Sequence, residues 1–146
     1  MNRRELYLLL IFGINLCTSQ SIAVLKYGGG GDWYSNPSAL KNLIQFCNTN
    51  LQTTIKKKPE SVETGSTAIF EYPFIHMTGH GNVVFDENDA RNLRVYLLSG
   101  GFLHIDDNYG MKLYVMKALE KVFPEKQMTE IPLSHPIYNN AVSYTH

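Results

Sequence analysis

Apolar residues in this chain fall into short runs and helix-spaced stripes, separated by glycine, proline and acidic residues. Ile22–Tyr27, apolar apart from Lys26, reads as a short buried strand. Leu40, Leu43, Ile44 and Cys47 recur at the spacing of one helix face and predict an amphipathic helix to about Asn50. Pro37 suits its first turn, with Asn36 or Ser35 as the cap. The stretch Lys56-Lys57-Lys58-Pro59 reads as a solvated break, and Ser61–Thr64 as a short edge strand. Phe74–Thr78 predicts a second buried strand, stopped by Gly79-His80-Gly81. Asp86 caps a helix through Leu98, with Asp89 in its first turn and Leu93, Tyr96 and Leu97 facing inward. Gly100-Gly101 closes that helix in the usual C-terminal manner. Phe102–Ile105 is a third strand running into Asp106-Asp107-Asn108. Met111–Phe123 predicts a helix that buries Leu113, Met116, Leu119 and Val122, ended by Pro124. Met128–Ile131 reads as a last strand.

Strands alternating with helices require crossover connections, hence a parallel sheet covered on both faces. The expected fold is a three-layer, doubly wound α/β domain. In such sheets ligands bind beyond the carboxyl ends of the strands, near the point where the strand order reverses. Three distinctive loops follow strands and should share that edge: Gly28–Tyr34, Thr78–Gly81 and Asp106–Asn108.

The start of the chain has another character. Arg3 and Arg4 precede the apolar run Leu6–Ile14, and Cys17-Thr18-Ser19 supplies small residues three and one before a cut after Ser19. This reads as a secretory signal over residues 1–19, which implies a secreted or periplasmic protein. An uncleaved membrane anchor and a lipoprotein cysteine at Cys17 are the alternatives. Cleavage would leave Cys47 as the only cysteine, without a disulfide partner and with the spacing of a buried helix position.

Composition narrows the partners. Of 146 residues, 44% are hydrophobic and 18% charged, which are globular proportions sufficient for one core. Thirteen basic and thirteen acidic side chains balance, so electrostatic capture of nucleic acid is not expected.

Candidate chemistry lies in the three loops. The run Gly28-Gly29-Gly30-Gly31 lets the main chain fold tightly against a ligand or a neighbouring loop. Asp32, Trp33 and Tyr34 follow at once with a charge, flat apolar faces and polar donors. Asp106 and Asp107 suit a hard cation, sugar hydroxyls or acid–base work. Equally, Asp107 or Asn108 could cap the next helix while Asp106 holds the glycine loop. His80, between glycines, suits a base or a metal ligand. His76 and His104, within strands, read as satisfied core residues, and His135 before Pro136 as a turn residue. Dinucleotide, P-loop, nucleophile-elbow and zinc patterns are missing, so no nucleophile for covalent catalysis is visible, and the sequence leaves cofactor and metal open.

Together, Tyr27-Gly28-Gly29-Gly30-Gly31-Asp32-Trp33-Tyr34, Thr78-Gly79-His80-Gly81, Gly100-Gly101-Phe102-Leu103-His104-Ile105-Asp106-Asp107 and His135-Pro136-Ile137-Tyr138 resemble the bacterial family called domain of unknown function 4159. The resemblance runs from about Ile22 to Asn140. It implies a fold like the class I glutamine amidotransferases, with a flavodoxin-like sheet, in an exported bacterial protein whose relatives include membrane-anchored ones. The catalytic cysteine of the amidotransferases has no counterpart here. The family's members continue past the His-Pro-Ile-Tyr motif, so residues 141–146 read as an irregular, truncated tail after a domain over residues 20–140.

Three functions compete. The first is a domain that binds a polar small molecule or carbohydrate, with Gly28 to Tyr34, His80, Asp106 and Asp107 lining the site. The second is a hydrolase that uses His80 or Asp106 as a general base on water. The third is a non-catalytic module docking a membrane or cell-envelope protein. Whether the chain is an enzyme is left open by its sequence.

Overall fold

A computed structural model describes residues 19–139. The signal-peptide, anchor and tail expectations rest on segments outside those residues. Among the described residues no helix is long and apolar enough to cross a membrane.

Four strands build one sheet: β1 (Ile22–Lys26), β2 (Glu60–Glu63), β3 (Phe74–His80) and β4 (Phe102–Tyr109). Their order is β2-β1-β3-β4 and every pairing is parallel. From β1 the chain winds outward to β2, then crosses back to place β3 on the other side of β1. The strand order therefore reverses between β1 and β3, and the switch point lies beyond Lys26 and His80. This is the α/β, flavodoxin-like arrangement that the alternation of elements predicts.

Helices cover both faces: α1 (Ala39–Asn50) on one, α2 (Glu87–Leu98) and α3 (Lys112–Val122) on the other. A 3-10 segment, Thr67–Glu71, carries the chain from β2 to β3 and buries Ile69 beside α2. A short helix, α4 (Pro136–Asn139), ends the described chain.

Side-chain alternation along the strands decides which face each residue feeds. Ala23, Leu25, Ile75 and Met77 point toward α2 and α3, where they join Phe85, Leu93, Tyr96, Val115 and Val122 in the main core. Ile22 points the other way and meets Leu40 and Ile44 of α1, with Val24, Ile55 and Phe74 around them. Helix α2 is fixed at both ends. Asp86 and Asp89 form a reciprocal capping box at its start. At its end the Gly101 N–H reaches the Tyr96 carbonyl and the Gly100 N–H the Leu97 carbonyl, the Schellman pattern.

Several elements differ from the sequence expectation. Helix α1 begins at Ala39 after Ser38, because Asn36 takes a left-handed backbone (φ 57°) and turns its amide elsewhere. Within α1, Leu43 is exposed and Cys47 only half-buried. Helix α3 is rotated from the predicted phase: Val115, Ala118 and Val122 are buried, while Leu113 and Met116 face outward. Both stripes have helical spacing, and the side chain that docks in the core just before the helix, Met111, selects between them. Met128–Ile131 forms no strand. Strand β4 does not stop at Ile105 but continues through both aspartates to Tyr109.

Candidate functional site

Asp32 follows β1, His80 ends β3, and the two meet across the switch point. Asp32 Oδ1 accepts the His80 backbone N–H at 2.5 Å, and Oδ2 lies 2.8 Å from His80 Nδ1. An ionised carboxylate has no proton to offer, so Nδ1 carries the hydrogen, and in the neutral ring the lone pair is on Nε2. The His80 side chain is 54% exposed. The backbone N–H first, and the His80 ring second, hold the Asp32 carboxyl below its usual range. Asp32 is thus an anion fixed in place, orienting a histidine whose free nitrogen can meet a ligand.

Gly79 is what permits this approach. Its φ is +149°, and a Cβ there would sit 2.1 Å from Tyr27 Oη and 3.1 Å from Asp32 Oδ1. The Tyr27 hydroxyl donates to the Thr78 carbonyl at 3.0 Å. Burial, and then the nearby Asp32 charge, push the Tyr27 phenol up to about 12. A neutral, buried tyrosine therefore forms the floor under the Asp32–His80 pair.

Beside the pair lies a chain of polar groups from three segments. Asn36 Nδ2 donates to Asn108 Oδ1 at 2.6 Å and approaches Thr78 Oγ1 at 3.4 Å. Asn108 Nδ2 in turn donates to Ser35 Oγ at 3.1 Å. These bonds tie the loop after β1 to the end of β4.

The adjacent aspartates part company because successive strand residues face opposite sides of the sheet. Asp107 accepts the Met111 and Lys112 backbone N–H groups at 2.9 Å each, where it caps α3. Asp106, opposite Thr78 in the register, points toward the α1 face. The two carboxylates thus face opposite sides of the sheet, and the contacts of Asp107 are those of the helix-capping alternative. Among the described residues no group of three or more His, Cys, Asp or Glu side chains could hold a metal.

The glycine run packs mainly on its neighbouring loop. The Gly28 carbonyl accepts the Val84 N–H and the Gly29 carbonyl accepts Asn82 Nδ2, each at 2.9 Å. A Cβ on Gly29 or Gly31 would collide with the 82–84 segment, while Gly30 faces open space. Trp33 turns away from Asp32, toward the ends of β1 and β2. There it helps line an open cleft of about 550 Å³ with Lys26, Glu63, Ser66, Asn88 and Asp89. Lys26 Nζ lies 5.1 Å from the centre of its ring. Tyr34 is 67% exposed and meets Trp33 edge-on. The residues expected to line one site fall into two adjacent groups, the Asp32–His80 pair and the Trp33 cleft, joined by the loop that carries Asp32 and Trp33.

The family model described as a domain of unknown function (DUF4159) matches residues 21–144. The chain belongs to this family. No curated protein matches the sequence. In this DUF4159 chain the first three motifs quoted above are physically joined. Asp32 of the first bonds His80 of the second, and Thr78 of the second registers with Asp106 of the third. The fourth opens α4, where the Ile137 N–H reaches His135 Nδ1.

Two further histidines also meet. His76 and His104 are register partners with Nδ1 atoms 3.0 Å apart. His76 is buried as expected, but His104 is exposed. One ring must donate. His76 Nε2 is buried without a partner, so donation from His76 Nδ1 leaves only a bare lone pair there rather than an orphaned N–H. Ser35, Asn36, Thr78 and Tyr27 were not singled out as site residues by the sequence. Only the position of Ser35 and Asn36 directly after the aromatic pair, and of Tyr27 and Thr78 at strand ends, carried a signal.

Proposed function

We propose that this domain binds a polar small molecule, with hydroxyl-rich ligands such as sugars the best match, at the carboxyl edge of its sheet. The observation that carries the reading is the Asp32–His80 pair straddling the switch point. It presents a fixed carboxylate and a free imidazole nitrogen where ligands of parallel sheets bind. The Trp33 cleft beside it adds an aromatic wall with both charge signs. Export is part of the proposal, on the strength of the basic, apolar and small-residue order of residues 1–19.

The test is a thermal melt of the full chain against panels of sugars, nucleotides and divalent metals, with Asp32→Asn as the control. A ligand at about 100 times its dissociation constant stabilises by about 2.7 kcal/mol, a shift of several degrees. That shift is expected in the parent and is lost in Asp32→Asn. A parent that melts cooperatively and responds to no compound overturns the reading.

One observation favours a second reading, a hydrolase without a covalent intermediate. With Asp32 on Nδ1, His80 Nε2 is free to take a proton from water. Hydrolysis of an ester, glycoside or phosphate substrate that persists in His80→Ala removes this reading.

A further inference from the structure

Lys26 ends β1 and Glu63 ends β2, and the two are register partners, so their opposite charges stand side by side on one face of the sheet. Among the described residues neither joins an ion pair. The Lys26 ammonium lies over Trp33 instead, and Lys26, Trp33 and Glu63 line the open cleft with Asn88 and Asp89 at the start of α2. Residues 64–66, which also line it, are pinned to both walls. Asn92 Nδ2 donates to the Thr64 and Ser66 carbonyls at 2.7 and 3.0 Å, and Asn88 Nδ2 to the Gly65 carbonyl at 3.2 Å. The Thr64 hydroxyl donates to the Lys26 carbonyl at 3.1 Å. Gly65 permits the close fit, since a Cβ there would lie 2.6 Å from Asn88 Nδ2 and 2.8 Å from Asp89 Oδ1. Asp89 Oδ2 accepts the Asp86 N–H, and Oδ1 accepts no hydrogen bond among the described residues.

We propose that this cleft is a second subsite of the carboxyl edge, and that the ligand is a glycan of two or more linked sugar units, one seated on Trp33 and the next reaching His80. The inference rests on the reading above, that the edge binds a hydroxyl-rich molecule. A cavity of about 550 Å³ falls within the range of small-molecule sites, so the cleft holds a sugar ring by itself. Neither Asp32 nor His80 is among its lining residues. Lys26 and Glu63 place it over the ends of β1 and β2, whereas His80 ends β3, a strand spacing of ~5 Å or more away. A ligand that fills the cleft and also meets the free imidazole nitrogen is therefore a chain of rings. The lining suits uncharged rings. Lys26 donates, Glu63 and Asp89 accept, and the Asn88 amide does both, which matches hydroxyls that donate and accept. Charges of both signs share the cleft, which disfavours a ligand of strong single charge. Trp33 offers an aromatic surface to the C–H groups of a sugar ring, and the exposed Tyr34, edge-on to it, extends that surface.

Isothermal titration calorimetry of the full chain tests this, with circular dichroism confirming that each variant is folded. The probes are glucose, cellobiose and cellotetraose, the matching β-1,4 series of N-acetylglucosamine, and the α-1,4 series of glucose. In a series that the protein recognises, the parent is expected to gain about tenfold or more in affinity from one unit to two, because the second contact is made intramolecularly. Trp33→Ala and Asp32→Asn are each expected to remove that gain, leaving the disaccharide no tighter than the single sugar. Trp33 also packs against the core, so Glu63→Ala, on an exposed side chain, repeats the test of the cleft without disturbing the fold. It is expected to lower the gain about fivefold, the worth of one hydrogen bond. Affinity that does not grow with length in any series that binds overturns this inference and leaves the reading of the edge intact. A gain that survives both Trp33→Ala and Glu63→Ala places the second unit elsewhere and overturns it too. No response to any of these sugars also overturns it, and the thermal melt against nucleotides and metals then shows whether the reading of the edge falls as well.

Discussion

The two faces of the sheet are built from the same strands, yet they are sealed to different degrees. Against α2 and α3, alternate residues of β1 and β3 disappear into a continuous core, with Leu25, Ile75, Met77, Phe85 and Leu93 all fully buried. Against α1 the buried core among the described residues is Ile22, Leu40 and Ile44, and toward β4 it gives way to a stack of Phe74, Phe102, His76 and His104. The difference shows a division of labour: the two-helix face holds the domain together, and the one-helix face bears polar groups that lead to the carboxyl edge. Asn36, Thr78, Asp106 and Asn108 all belong to that second face or its rim.

The largest expected effects should therefore come from the sealed face. Phe85→Ala should cost about 3–5 kcal/mol in urea unfolding, by lost transfer energy and a cavity that cannot collapse. Phe102→Ala, equal in size but on the open face, should cost about 1 kcal/mol or less, in proportion to its partial burial. Near-equal losses would break the comparison. Next comes Gly79→Ala, where a methyl would collide with Tyr27 in a backbone conformation that disfavours it. It should cost about 2–4 kcal/mol and disorder the His80 ring as well.

Tyr27→Phe removes one buried hydrogen bond, a loss of about 1 kcal/mol at neutral pH. Its pH signature is more telling. The folded phenol is raised from 10.0 to about 12, so the stability it contributes is complete below pH 10 and is lost as pH rises toward 12. The alkaline limb of the parent's stability curve should be steeper than that of Tyr27→Phe. The smallest effect should be His76→Phe, which replaces an imidazole whose Nε2 is buried without a partner by a ring that extends the Phe74 stack. Burial, and then the neighbouring His104, lower the folded pKa of His76, against the opposing pull of Asp106. The stability this group contributes is thus present above 6.5 and lost as pH falls through the lower folded value. The variant should match the parent within about 1 kcal/mol at neutral pH and fall less steeply in acid.

How far the sequence led depended on whether a signal was local. The capping box of α2 and its double-glycine stop, the short runs of β1 and β3, and the parallel sheet were all readable, because each rests on neighbours a few residues apart. The phase of α3 was not, since Leu113 and Val115 head equally good stripes and only docking decides. That Asp106 and Asp107 face opposite sides of the sheet was not legible, because it depends on β4 continuing past Ile105 to Tyr109. Asp32 and His80 were each named, but their bond spans 48 residues and depends on Gly79 and the strand order. The contact of His76 with His104 is a matter of register, which no local pattern reports.

The most direct test of the central claim is the nitrogen-15 spectrum of the His80 imidazole, compared between the parent and Asp32→Asn. The account predicts that His80 is protonated at Nδ1 and bare at Nε2 in the parent, and shifts toward the Nε2-protonated form once Asp32 is neutralised. A parent His80 that carries its proton on Nε2 would show that Asp32 does not hold the ring, and the site as described would fall.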